Sequence, residues 1–229
     1  MAHEIGPADA LIVVDPQKDF CPGGALAVAG GDEIMAPIAD LARRFAAAGG
    51  LVVLTQDWHP KEHKSFAANH DGGVPFSTAD MPYGEQVLWP DHCVQGTPGA
   101  DFHPDLAGAV EAAHLIVRKG YNASVDSYSA FFENDKKTAT GLGGWLGDKG
   151  VSRCFFVGLA YDFCVGYSAL DAVRRLGLRA VVLEDLTRAI AMPAGEGTTV
   201  DAIDASFRAA GVELAESRDL PNDRFSHSN

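Results

Sequence analysis

Residues 10–19 read ALIVVDPQKD, and the passage from the apolar run 10–14 to Asp15 decides the fold. A continuous apolar run of about strand length is the pattern of a strand buried on both faces, as in a parallel sheet. Outward from there the alternation is regular. Asp32 precedes EIMAPIADLARRFAAA, in which Ile34, Ile38, Leu41 and Phe45 recur at helical spacing, and Gly49-Gly50 closes it. Residues 51–55 (LVVLT) form a second strand, 115–117 fall in a third, and 154–157 (CFFV) in a fourth. A helix is expected over 162–176, stopped by Gly177, then a fifth strand at 180–183, a helix at 198–210 and a short sixth strand at 212–214. Strand–helix–strand repeated this often predicts an α/β fold, a mostly parallel sheet covered on both faces, over one domain, 1–229. The interruption, about residues 56–104, is rich in Pro, Gly and His, and an insertion that long is usually functional. The final DRFSHSN reads as a frayed tail.

The composition narrows the function classes. The chain has 229 residues, 47% of them apolar, enough for a sizeable core. Eighteen basic against 31 acidic side chains leave a formal charge of −13, which repels phosphate backbones and anionic lipid. Neither nucleic acid nor a membrane is an expected partner, and oligomeric state stays open. No apolar stretch approaches the ~18–20 residues of a span. MAHEIGPADA at the start lacks the pattern of a secretory signal. Four cysteines, at 21, 93, 154 and 164, are too scattered for a disulfide framework. The expectation is a protein of a reducing cytoplasm.

Reactive residues gather at strand ends. Asp15 follows 10–14, Asp57 and His59 follow 51–55, Lys119 follows HLIVR, and Cys164 lies where a helix should begin after CFFVGLA. Open parallel sheets bind ligands outside the carboxyl ends of their strands, so four strands deliver these groups to one rim. A strand-to-helix turn offers Cys164 backbone N–H groups that favour a thiolate and hold an oxyanion. Cys154 begins an apolar strand and fits a structural thiol. Lys119⁺ beside the sulfur would stabilise the thiolate, and Asp15 would take its proton and return it to a leaving amine. If the strands of Asp15 and Lys119 are two apart, the gap is ~10 Å, within reach of a lysine. Asp57 and His59 face one way in an extended segment while Trp58 points elsewhere. With His92 they make an open site for a divalent metal, zinc first, iron or manganese otherwise. His63, among Lys61, Glu62 and Lys64, reads as a solvated face. Phe20, Trp89 and Tyr128 lie in loops near these groups and suggest a flat pocket for an aromatic ring.

DPQKDFCPGGAL, TQDWHP, WPDHCVQGTPGADFHP, RKG with DSYSAFF, and GLAYDFCV closely resemble the nicotinamidases of the isochorismatase-like cysteine hydrolases, in order from about residue 9 to 217. The resemblance implies a three-layer sandwich on a six-stranded sheet of order 3-2-1-4-5-6. It also implies an amidohydrolase that converts nicotinamide, and pyrazinamide as well, through a cysteine thioester in pyridine-nucleotide salvage. By the same resemblance Asp15, Lys119 and Cys164 are catalytic, and the amides of Ala160 and Cys164 form an oxyanion hole after a cis Leu159–Ala160 bond. Phe20, Trp89 and Tyr128, with Leu159, bind the ring. Asp57, His59 and His92 hold the metal, and Ser65 meets it through water. The metal binds the pyridine nitrogen and a metal-held water cleaves the thioester. Tyr161 and Phe163 depart from the Thr and Tyr common at their positions, which bears on substrate preference. Another amidase or isochorismatase-type hydrolase, and a noncatalytic binding member, are the competing readings.

Overall fold

Each strand of the central sheet sends successive side chains to opposite faces, and in the central strands both faces are buried. In the computed structural model, which describes residues 4–220, six parallel strands form one sheet among the described residues. They are β1 (Asp9–Val14), β2 (Leu51–Asp57), β3 (Leu115–Lys119), β4 (Arg153–Leu159), β5 (Arg179–Arg188) and β6 (Glu213–Ala215). Their spatial order is β6-β5-β4-β1-β2-β3, the expected 3-2-1-4-5-6 read from the other edge. The central pairs are in register, Ile12 beside Val53 on one side and Phe156 on the other.

Leu11, Val13, Val52, Leu54, Phe155 and Val157 enter one core with α1 (Met35–Ala47) and α2 (Ala107–Ala112). Ala10, Ile12, Val14, Val53 and Phe156 enter the other, with α3 (Leu142–Asp148), α4 (Gly166–Leu176) and α5 (Thr199–Ala210). The continuous apolar run is thus two period-2 patterns, one for each layer.

The differences from the sequence reading have local causes. Helix α1 starts at Met35, three residues after Asp32. Pro37 has no N–H, which is tolerated only in the first turn, and a start at Met35 puts it there. The expected helix over 162–176 begins instead as a π-helical turn, Tyr161–Val165, before α4. Strand β5 runs on to Arg188 across a bulge opposite Phe156 and Gly158. Gly158 has φ +104°, and a Cβ there would lie 2.2 Å from the Val14 carbonyl oxygen, so only glycine lets β4 pass β1 this closely. The insertion is ordered by its own pairings, a hairpin (Thr78–Met81 with Gly84–Val87) and bridges from His59 to Val94 and Phe66 to Trp89. DRFSHSN, read as a tail, lies outside the described residues. No described helix is long and apolar enough to cross a membrane, and all four cysteines are free and buried.

Candidate active site

Four carboxyl-terminal strand ends meet at a buried ammonium. Lys119 closes β3, two strands from β1, and its side chain is fully buried. Its Nζ lies 2.8 Å from Asp15 Oδ2, 2.6 Å from Asp57 Oδ1, 2.8 Å from the Ser127 carbonyl oxygen and 3.4 Å from Cys164 Sγ. The expected reach across the intervening strand is therefore made. Burial opposes the charge, but Asp15 and then Asp57 raise the Lys119 pKa well above its ordinary value. Asp15 turns the chain after β1 at φ +45°, a conformation aspartate tolerates better than most residues. Thr55 holds it there: its Oγ1 accepts the Asp15 N–H at 3.0 Å and donates to Asp15 Oδ1 at 2.6 Å.

Opposing charges act on the sulfur. Burial first, then Asp15 and Asp57, push the Cys164 thiol well above its ordinary pKa, and Lys119 only offsets part of this. Asp15 is pushed up to about 6 by burial and by Asp57, against the pull of Lys119. It is the ionised group placed to take a proton near neutral pH. The peptide bond between Leu159 and Ala160 is cis, and Ala160 and Cys164 both face the cavity. The Leu159 side chain is fully buried in the core and does not line that cavity.

Beside the ammonium stands a donor set for a cation. Ligand-capable atoms of Asp57, His59 and His92 lie within 4.8 Å of one another, all buried. Asp57 Oδ2 is 3.6 Å from His59 Nε2 and 4.0 Å from His92 Nε2. The other ring nitrogens meet carbonyl oxygens, His59 Nδ1 at Gly120 (2.8 Å) and His92 Nδ1 at Pro90 (2.8 Å). A proton on each Nδ1 leaves the Nε2 lone pairs for a metal. Burial opposes charge on Asp57, yet Lys119 and then His59 hold its carboxyl well below the usual range. Asp57 also raises His59 against burial, and a site that draws a proton draws a cation. One ammonium between two carboxylates leaves surplus negative charge, so the residues fit a divalent ion. Trp58 points away, under the Arg118 guanidinium 3.9 Å from its ring centre.

His63 overturns its expected place on a solvated face. It is fully buried, 4.5 Å from His59 between ring centres. Burial and then His59 lower it to about 4, so it is neutral near pH 7, although Asp126 pulls the other way. Lys61, Glu62 and Lys64 concealed this in the sequence. The turn that bonds His63 N–H to Pro60 folds the ring inward. Ser65 is buried too, with Oγ 2.7 Å from His63 Nδ1.

Above these groups lies a small, partly open cavity. Phe20, Trp89 and Tyr128 line it as expected, together with Phe163, Ile190 and the buried Asp126. Phe163 meets Trp89 edge-on at 4.9 Å between ring centres and Tyr128 at 5.6 Å. Tyr161 is turned away, donating to Asp204 Oδ1 at 2.5 Å. Of the two departures beside Cys164, only Phe163 reaches the cavity.

Three supports escaped the sequence reading. Thr55 was visible as a hydroxyl ending an apolar strand. Gln17 is fully buried and clamps the Asp57 backbone, donating to its carbonyl at 2.8 Å and accepting its N–H at 2.7 Å. Gln17 and Asp126 stand inside quoted motifs, but nothing in the sequence gives them a role, because Gln17 meets Asp57 and Asp126 meets Gln86 from distant segments.

The isochorismatase domain model matches residues 9–213. A nicotinamidase of Acinetobacter baylyi is 48% identical over 211 residues, which cover 92% of this chain and 94% of the relative. Among solved structures, a nicotinamidase and pyrazinamidase of Acinetobacter baumanii superimposes with a TM-score of 0.87 at 47% identity, covering 94% of this chain and 99% of that one. A protein of L. infantum in complex with nicotinate gives 0.79 at 37% identity, covering 96% and 99%. The pyrazinamidase of Pyrococcus horikoshii in complex with zinc gives 0.72 at 34% identity, covering 92% and 99%.

Proposed function

The chain belongs to the isochorismatase domain family, and from that premise we infer that it is a nicotinamidase, an amidohydrolase that converts nicotinamide to nicotinate and ammonia. The observation that carries the reading is the buried Lys119 ammonium, within 3.4 Å of the Cys164 thiol on the cavity wall and within 2.8 Å of the carboxylate that would serve it. We read residues 1–229 as one catalytic domain, with the insertion at about 56–104 supplying His59, His92 and Trp89.

In this mechanism Asp15 takes the Cys164 S–H proton as the sulfur attacks the carboxamide carbon. Lys119 stays charged and steadies the sulfur as its negative charge develops. The N–H groups of Ala160 and Cys164 receive the oxyanion. Protonated Asp15 then gives its proton to the nitrogen, the C–N bond breaks, and ammonia leaves a thioester. Water enters, gives a proton to Asp15 and attacks the thioester carbon. The C–S bond breaks, the sulfur regains its proton, and nicotinate departs.

Phe20, Trp89, Tyr128 and Phe163 would enclose the pyridine ring. Asp57, His59 and His92 would hold the cation, zinc in the first instance, and when bound it supplies a Lewis acid for the ring nitrogen and so fixes the ring's orientation. Pyrazinamide, whose ring keeps a nitrogen at that position, fits the same arrangement.

The test is ammonia release from nicotinamide and from an aliphatic amide, before and after chelation. Turnover specific to the aromatic amide is expected, with KM raised by chelation and restored by zinc. Cys164→Ala should abolish turnover while still binding zinc. Substantial activity left in that variant would overturn the thioester route.

A further inference from the structure

His63 and Asp126 have no part in the steps above, yet both are buried beside the cation site. The Ser65 backbone N–H points at His63 Nδ1 from 3.1 Å, and Ser65 Oγ lies 2.7 Å from it. A ring nitrogen that accepts a backbone N–H carries no proton of its own, so a neutral ring holds its proton on Nε2. That nitrogen has no hydrogen-bond partner among the described residues. Nε2–H is therefore a buried donor without a hydrogen bond of its own, and in this tautomer it offers a metal no lone pair.

Asp126 is fixed from two sides, accepting from the Ser127 N–H at 2.7 Å and from Gln86 Nε2 at 3.2 Å, with carboxylate lone pairs still free. His59, His63 and Asp126 each place one ligand-capable atom within 4.8 Å of the others, and His59 belongs also to the cluster with Asp57 and His92. A donor and an acceptor thus flank the outer side of the cation site through a shared histidine. One small group satisfies both and completes a metal with three protein ligands: a water molecule on the ion.

We propose that His63 and Asp126 are positioning residues that orient an aqua ligand of the bound cation, Nε2–H donating to its oxygen and the Asp126 carboxylate accepting its hydrogen. Ser65 then acts one step further out, as the lock on the His63 tautomer. This rests on the reading of Asp57, His59 and His92 as the cation site.

The experiment uses the full-length chain reconstituted with cobalt(II), whose visible spectrum reports the ion's ligand field. Wild type is compared with His63→Phe, His63→Gln, which retains an N–H donor, and Asp126→Asn. The expected result is cobalt affinity weakened on the order of 10–100-fold in His63→Phe and Asp126→Asn, with a shifted spectrum, and recovered largely in His63→Gln. Metal-free melting temperatures identify a variant that has simply lost its fold, in which case Asp126→Asn and His63→Gln carry the decision. Wild-type affinity and spectrum in both His63→Phe and Asp126→Asn would overturn the proposal while leaving the cation site standing. No cobalt binding by the wild-type chain would overturn both.

Discussion

A fully buried lysine between two carboxylates has energy at stake in every direction. Removing one member of a buried ion cluster strands the others, at a cost of about 3–5 kcal/mol. Lys119→Met should therefore lower unfolding free energy by about that amount in urea titrations, besides stopping turnover, because Asp15 and Asp57 would face each other without a cation between them. The acid response follows from Asp15. It must be ionised to take the thiol proton, and burial with the neighbouring Asp57 sets its pKa at about 6. Above that value kcat/KM for nicotinamide should be level, and below it should fall about tenfold per pH unit, as for one essential base. A pH profile flat down to pH 4 would remove Asp15 from the role. At this scale the sequence was legible where chemistry and strand ends coincide, as at Asp15, Asp57, Lys119 and Cys164. It misled at His63, where charged neighbours on both sides imitate an exposed face.

At the scale of elements, the metal donors depend on how strands end. Gly120 follows β3 at φ +66°, and a Cβ there would sit 2.4 Å from His59 Cε1 and 2.6 Å from its Nδ1. Gly120→Ala should push the imidazole off the Gly120 carbonyl, weakening zinc binding on the order of 10–100-fold in competition with a chelator. A variant that binds zinc like wild type would show that this support is dispensable. Strand and helix order were readable because both cores are built from simple periodicities. The start of α1 was not, since Asp32 looks like a cap and the deciding residue is Pro37, five positions on. The π-helical turn at Tyr161–Val165 and the bulge in β5 were hidden too, because no local periodicity marks either.

For the molecule as a whole, the formal charge of −13 meets a neutral substrate. Electrostatic steering then has little to act on, so kcat/KM for nicotinamide should change less than about twofold between ~0.01 and ~0.15 M salt. A steep salt dependence in stopped assays would point to a charged substrate instead. The architecture and the main site residues were open to sequence reading because all lie at one rim, whereas the roles of Thr55, Gln17 and Asp126 needed the folded chain. That one-sidedness has a practical corollary. Residues 48–50, 149–152 and 177–178 connect helices back to strands at the far end of the sheet, some ~20 Å from the chemistry by the length of a six-residue strand. An immobilisation handle or reporter grafted into those returns would hold the protein by its back, with the mouth of the cavity facing freely into the medium.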